Sequence, residues 1–179
     1  SLNKILSLAA SIIKSAILFL FIFFHPNISS EETTQYNPDD QGVLSIMYHR
    51  FEENKYPSTN IRMNIFIEHI AAIKNNGFEF YNPKLFNEQF NEPKKNKKIL
   101  LTIDDAFLSF YENAWPILKK NEIPFILFVS TEPIGKRGYM TWEQIKEIEK
   151  EKFAFIGNHS HTHEYLINFS FSDFKDDIK

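Results

Sequence analysis

Two features of the sequence could carry chemistry: a pair of adjacent carboxylates and a cluster of histidines. Asp104 and Asp105 stand side by side after the apolar run ILLTI. The segment NHSHTH, Asn158 to His163, holds three of the six histidines in the chain. Adjacent carboxylates repel each other unless a positive charge lies between them or one is protonated. A divalent cation bound by carboxylate and imidazole groups would relieve that repulsion.

Together the two motifs predict a catalytic metal site. Asp105 could bind the cation while Asp104 takes a proton from the attacking water. In a helical or turn-like backbone His159 and His163 would come together as two ligands. An extended backbone would align all three histidines, so spacing alone leaves the role of His161 open. Two histidines and one carboxylate leave positions for water and substrate, which is typical of catalytic sites.

Each motif taken alone also has a simpler interpretation. The aspartates could turn the chain or cap a helix that begins near Phe107, because Asp is favoured at that position. The histidines could belong to a solvated loop. The metal site is favoured because both motifs are expected at the same edge of one sheet.

That expectation rests on the pattern of strands. Five short apolar runs predict strands, and helix-like stretches separate most of them, which indicates an α/β fold with a parallel sheet. The runs are VLSIMY, FEFY, ILLTI, FILFV and FAFI. Functional groups of such sheets gather at the carboxyl ends of the strands. His49 follows the first run, so we expect it beside Asp104 and His159, either as a substrate contact or as a structural histidine.

The first predicted helix begins at Asn64, a residue type that caps helices, and ends at Gly77. Its apolar side is expected to consist of Phe66, Ile67, Ile70, Ala71 and Ile73.

Three further helices follow. The first covers Ser109–Lys120, with Pro116 either kinking it or marking its first turn. The sequence TWEQ from Thr141 predicts a capping box for a helix that runs through Lys150, and a similar box begins at Ser170.

The N-terminus predicts export. Lys4 precedes an apolar segment, Ile5 to Phe24, so residues 1–25 are expected to be a signal peptide or a membrane anchor. Residues 26–42 are polar and rich in turn formers, as in a linker, and the folded domain is expected over 43–179. The protein is therefore predicted to be periplasmic, extracellular or anchored in a membrane. The sequence does not decide between cleavage and anchoring.

Composition narrows the possible partners. The net charge of −3 and the pI near 6.1 provide no basic surface to attract nucleic acid. The chain has no cysteine, so disulfides and thiolate zinc sites are excluded, and a metal would need His, Asp or Glu ligands.

The motifs resemble those of a known family. LTIDDA, at 101–106, is similar to T-F-D-D-G, and HSHTH, at 159–163, matches H-[ST]-x-x-H, of the polysaccharide deacetylases of carbohydrate esterase family four. This family includes chitooligosaccharide, peptidoglycan and poly-N-acetylglucosamine deacetylases. The M-Y-H that ends in His49 resembles the members that act on exported polysaccharides. The likeness covers about 43–166.

The resemblance implies roles for individual residues. It makes Asp104 the general base and Asp105, His159 and His163 the ligands of a zinc or similar divalent ion. The implied reaction is hydrolysis of N-acetyl groups from an amino-sugar polysaccharide, with release of acetate. Two alternatives stay open: a carbohydrate-binding pseudoenzyme of the same fold, and a metal-dependent amidase that acts on a small substrate.

The resemblance also implies a distorted (β/α) barrel. A complete barrel needs about 250 residues, so residues 43–179 are expected to form about its first half. The family's later motifs, including a histidine that acts as general acid, are then expected after Lys179, and this segment alone is expected to be inactive or poorly folded.

Some residues depart from the family pattern or are left outside the predicted site. Ile103 replaces the usual Phe. Ala106 replaces a glycine that would tolerate a positive φ, and is expected to shift the loop slightly. Tyr139 and Trp142 are assigned to packing rather than to the site.

Overall fold

The structure, a computed structural model, describes residues 42–86 and 97–179. Its strands are β1 (Val43–Tyr48), β2 (Arg50–Phe51), β3 (Asn60–Ile61), β4 (Glu79–Phe80), β5 (Lys98–Asp104), β6 (Phe125–Val129) and β7 (Ala154–Asn158). Its α-helices are α1 (Met63–Asn75), α2 (Trp115–Lys120), α3 (Trp142–Glu149) and α4 (Phe171–Asp177).

The main sheet is parallel, as the sequence predicts. Its order is β1-β5-β6-β7, and β4 pairs with the first two residues of β5. All five predicted strands therefore form, and the α/β fold with a parallel sheet is confirmed. The short pair β2 and β3 forms a second sheet that the sequence does not predict. Among the described residues β7 does not pair with β1, so closure into a barrel stays a prediction.

Strand β5 lies at the centre of the core. Leu101 and Ile103 are fully buried, and an aromatic cluster packs around this strand and β6. The cluster consists of Tyr48, Phe51, Phe66, Phe110, Phe125, Trp115 and Phe153, whose neighbouring ring centroids lie 5.2 to 6.2 Å apart. Edge-to-face and tilted pairs of this kind add about 0.5–1.5 kcal/mol each to the burial of the rings.

Helix α1 corrects the predicted cap. The N-cap is Arg62, not Asn64, because the carboxylate of Glu52 accepts a hydrogen bond from the Met63 amide (N–Oε2 2.6 Å). A partner from the β2–β3 loop thus replaces a local cap. Gly77 ends the helix region with φ +75°, as predicted.

The buried side of α1 is narrower than the sequence predicts. Phe66, Ile70 and Ile73 are buried at i, i+4 and i+7, whereas Ile67 is 49% exposed and Ala71 is also exposed. The two exposed residues lie beside the buried stripe, where packing by the described residues does not reach them.

The other predicted helices form. A π-helical turn, Phe110–Ala114, leads into α2, where Pro116 occupies the first turn, which is one of the two predicted positions for it. Thr141 caps α3 in a full capping box with Gln144. Ser170 caps α4 by accepting a hydrogen bond from the Asp173 amide.

The predicted export segment and nearly all of the predicted linker, residues 1–41, lie outside the described residues. Within residues 42–86 and 97–179, none of the helices combines the length and the apolar character needed to cross a bilayer.

Candidate active site

The register of the sheet brings the predicted site residues together. Tyr48 pairs with Ile103, and Val129 pairs with Asn158. The residues that come next along the chain, His49, Asp104 and His159, therefore project from the same carboxyl edge of the sheet. The predicted common edge is confirmed.

Three side chains converge at this edge as a possible metal-binding group. One ligand atom each from Asp105, His159 and His163 can be chosen so that all lie within 4.8 Å of one another. The Asp105 Oδ1 lies 3.2 Å from the Nε2 of His163 and 3.4 Å from the Nε2 of His159. The structure thus brings together the three residues that the sequence predicts as ligands.

Asp104 lies against this group without being part of it. Its Oδ2 is 3.9 Å from the Nε2 of His159 and 3.8 Å from the Nε2 of His49. Burial raises the pKa of Asp104, and the neighbouring carboxylate of Asp105 also raises it, while His159 and His49 oppose the increase. A raised carboxyl pKa brings Asp104 closer to the neutral range in which general bases are effective.

The donor set fits a divalent cation. The Oδ1 atoms of Asp104 and Asp105 are buried, and within the described part of the chain neither has a hydrogen-bond partner. Buried carboxylate oxygens without a partner are costly unless a cation or a proton compensates them. One carboxylate and two imidazoles suit zinc and similar metals, and leave room for water and substrate.

The two loops that carry the ligands have a strained backbone. Asp105, Ala106, Ser160 and His163 all have positive φ, between +53° and +72°. Such a conformation costs an ordinary residue about 1–2 kcal/mol, and it persists only where the surrounding structure imposes it. Ala106 therefore adopts the positive φ that the glycine of the family motif would tolerate.

His161 points away from the ligand group. Its Nδ1 lies 2.7 Å from the Oγ1 of Thr131, and it is not among the three residues that could hold a metal. The turn at Ser160 interrupts the alternation of the three histidines. The two that can bind a metal together are therefore His159 and His163, which are four residues apart.

A cavity of about 360 Å³ opens beside the group. It is lined by His49, Arg50, Tyr56, Thr59, Asp105, Phe107, Ser130, Glu132, Pro133, Lys136, Tyr139, Thr162 and His163. Cavities of this size are typical of small-molecule sites. His49 is among the residues that line this cavity. Tyr139, assigned to packing from the sequence, both packs on Phe107 (centroids 4.9 Å apart) and lines the cavity.

Comparison with known proteins agrees with these motifs. The family model "Polysaccharide deacetylase" matches residues 91–179. These residues belong to the polysaccharide deacetylase family. They include both motifs and all three residues of the possible metal-binding group.

Two of the curated relatives that match this chain share one name, that of a polysaccharide N-deacetylase. The poly-β-1,6-N-acetyl-D-glucosamine N-deacetylase of Escherichia coli (strain K12) is 23% identical over 185 aligned positions, which cover 93% of this chain and 27% of the relative. The enzyme of that name from Staphylococcus aureus (strain MSSA476) is 24% identical over 143 aligned positions, which cover 70% of this chain and 49% of the relative. The chain spans 27% to 49% of the length of the curated relatives it matches.

Solved structures support the fold. The Streptococcus pyogenes deacetylase PplD, in complex with acetate, is similar with a TM-score of 0.67 and 25% identity, covering 76% of this chain and 64% of that one. IcaB from Ammonifex degensii is similar with a TM-score of 0.60 and 28% identity, and the match covers 74% of this chain and 57% of that one. The parallel α/β architecture is thus that of known deacetylases.

Other residues hold the histidine loop of this deacetylase motif in place. Ser160 accepts a hydrogen bond from the His163 amide (3.1 Å), and Ser130 donates one to the carbonyl of His159 (2.8 Å). The buried carboxylate of Asp177, at the end of α4, accepts bonds from the amides of Thr162 (3.0 Å) and His161 (3.3 Å). Sequence reasoning missed Ser130 and Asp177, since a side chain that binds a distant backbone N–H or C=O group leaves no pattern in the sequence.

Asp177 provides a test of this support. Its pKa is lowered because the hydrogen bonds from the loop outweigh the opposing effect of burial. We expect Asp177→Ala to weaken zinc binding by about 10- to 100-fold, since the loop between the two histidines loses the carboxylate that holds the Thr162 amide and keeps only the bond from the His161 amide to the backbone carbonyl of residue 177. Asp176→Ala is the matched control, because Asp176 lies on the same helix, is exposed and pairs only with Lys179 among the described residues. Equal zinc affinities in the two variants, measured by competition with a chromophoric chelator, would contradict this role.

Ala106 provides a second test. In Ala106→Gly, relief of about 1–2 kcal/mol of strain is offset by about 0.8 kcal/mol for the buried methyl and about 0.5–1 kcal/mol of chain entropy. We therefore expect the free energy of unfolding to change by less than about 1 kcal/mol. Ala114→Gly, equally buried but with negative φ (−88°), lacks the relief and is expected to lose about 1.3–1.8 kcal/mol. Urea unfolding of both variants checks this difference, and equal losses would show that the backbone at 106 is not strained.

Proposed function

We propose that this protein is a metal-dependent polysaccharide deacetylase that removes N-acetyl groups from a polymer of the poly-N-acetylglucosamine type. The observation that supports this most directly is the position of Asp104 beside the Asp105, His159 and His163 group, at the edge of the sheet where a cavity opens. A base next to a metal-binding group is an arrangement suited to metal-assisted amide hydrolysis.

The relatives agree with this substrate class. The E. coli and S. aureus relatives are named for poly-β-1,6-N-acetyl-D-glucosamine, and the S. pyogenes structure contains acetate, which is the acid that this hydrolysis would release. We infer that the exported N-terminus predicted from the sequence takes the protein to such a polymer outside the cytoplasm.

The proposed reaction breaks the amide C–N bond of an N-acetyl group. A zinc or similar ion held by Asp105, His159 and His163 would polarise the amide carbonyl and the attacking water. Asp104 accepts a proton from that water as its oxygen bonds to the carbonyl carbon. The amine leaves with a proton from an acid, and acetate and a free amino sugar are the products. The family resemblance assigns the acid to a histidine after Lys179.

His49 is proposed as a substrate contact. It lines the cavity, and its Nε2 lies 3.8 Å from the Oδ2 of Asp104, the same oxygen that lies 3.9 Å from the Nε2 of His159. An imidazole at this position can donate a hydrogen bond to the sugar or hold Asp104 in place.

The test is acetate release from N-acetylglucosamine oligomers by the full-length protein. We expect activity with zinc, loss of activity after treatment with a chelator, and recovery when zinc is added back. Bound metal without acetate release would favour the carbohydrate-binding pseudoenzyme. Activity on N-acetylated small molecules but not on oligomers would favour the small-substrate amidase. A protein that binds no metal would contradict the proposal.

A further inference from the structure

One wall of the cavity takes no part in the proposed hydrolysis. Four side chains form it as a continuous stack, defined here as the stacked wall: Tyr56, Arg50, Phe107 and Tyr139. The guanidinium carbon of Arg50 lies 4.4 Å from the ring centroid of Tyr56 and 3.5 Å from that of Phe107. Phe107 in turn packs on Tyr139, with centroids 4.9 Å apart. All four line the cavity beside Asp105 and His163.

Arg50 is held rigidly within this wall. Its Nη1 donates to both carboxylate oxygens of Glu53, at 2.9 and 3.2 Å. Glu53 is fixed in turn by the hydroxyl of Ser109 (2.7 Å) and, through its backbone, by Asn60. A cation that is stacked between two rings and paired with a fixed carboxylate loses little further freedom when a ligand binds, which favours recognition.

The charges of the cavity favour a neutral ligand. Glu53 neutralises Arg50, and on another part of the lining Glu132 pairs with Lys136 at 3.0 Å. Both cations thus have a carboxylate partner, which lowers the net positive charge that they present to a ligand. The stacked wall instead presents flat, polarisable surface, which suits the C–H face of a pyranose ring.

Tyr56 presents this surface at the mouth of the cavity. Its side chain is 55% exposed, although Arg50 covers one face of the ring. Its backbone has φ +59°, a strained conformation for an aromatic residue, and Thr59 fixes it through a hydrogen bond from its amide to the Tyr56 carbonyl (3.0 Å). Strain in an ordered loop that exposes an aromatic ring is characteristic of binding sites.

From these observations we propose that the stacked wall is a subsite for a neutral pyranose unit next to the one that is deacetylated, and that the open face of Tyr56 packs on this second ring. The inference rests on the proposed function, because it takes the Asp105 and His163 edge of the cavity as the position of the reacting unit. The stacked wall would then favour binding of the polymer over the monomer, and binding of neutral over acidic sugars.

Binding without turnover tests this subsite. The parent is the full-length, zinc-loaded Asp104→Asn protein, and it is compared with the same protein that also carries Tyr56→Ala. Each is titrated with the N-acetylglucosamine tetramer and, separately, with the monomer. Amide NMR shifts report the binding. Tyr56→Ala is expected to weaken tetramer binding by about 3- to 10-fold and to leave monomer binding unchanged. Tyr56→Phe is expected to bind both like the parent.

Trp142→Ala is the matched control, because Trp142 is also an exposed aromatic residue (44%) but does not line the cavity. Tetramer binding that is unchanged by Tyr56→Ala, or reduced equally for monomer and tetramer, would overturn the subsite. Acetate release by the protein with native Asp104 is measured separately. Tyr56-dependent tetramer binding without acetate release would reject the proposed hydrolysis and leave the subsite standing.

Discussion

Replacing Asp104 with asparagine is expected to lower kcat for acetate release by about 10²- to 10⁴-fold. Asparagine has the same shape, but it cannot take a proton from the attacking water. Zinc binding is expected to persist, because Asp104 lies outside the Asp105, His159 and His163 group. The measurements are the rate of acetate release at saturating oligomer and the metal content of the purified variant.

Glu132→Gln is the control for Asp104→Asn. Glu132 is a carboxylate that lines the same cavity, but its partner is Lys136 and it is not part of the metal-binding group. The control is expected to retain most of the activity. If Asp104→Asn kept wild-type kcat, Asp104 would not be the base. If it lost zinc together with activity, the fall in rate would reflect the metal and not proton transfer.

The sequence predicts the position of the site well because parallel strands impose a simple rule. Residues that follow strands of one sheet meet at one edge, so His49, Asp104 and His159 could be placed together without any knowledge of their side-chain conformations. The apolar runs were sufficient to locate the strands, because central strands such as β5 are buried along most of their length.

Features that depend on tertiary partners could not be predicted. The start of α1 was misplaced because Glu52, ten residues before Arg62, caps the helix from a separate loop. Asp177 was not predicted because its carboxylate accepts hydrogen bonds from the backbone amides of Thr162 and His161, which are distant in sequence. Such contacts depend on how α4 packs against the histidine loop, and residue type and spacing do not encode that packing.

The stacked wall could not be predicted from the sequence either. Arg50 follows His49 directly, yet nothing in its position indicates that two rings and Glu53 would hold its guanidinium. The loop that carries Tyr56 joins two strands of only two residues each, which leave too short a pattern for sequence analysis.

Replacing His159 and His161 one at a time is expected to separate the ligands from the rest of the histidine cluster. His159→Ala removes one of three ligands from the candidate group, so zinc affinity should fall by more than about 100-fold, beyond the effect expected for a residue that only supports a ligand. His161→Ala removes only the contact with Thr131 and is expected to change the affinity by less than about 5-fold. Competition with a chromophoric chelator measures both.

The two variants are closely matched, because they remove the same side chain from positions two residues apart in one loop. A loss of affinity due only to damage of the loop would therefore appear in both. Loss confined to His159→Ala requires that the imidazole itself binds the metal. Loss in His161→Ala of similar size would instead mean that the fall in affinity reflects damage to the loop, and this pair of variants would not establish His159 as a ligand.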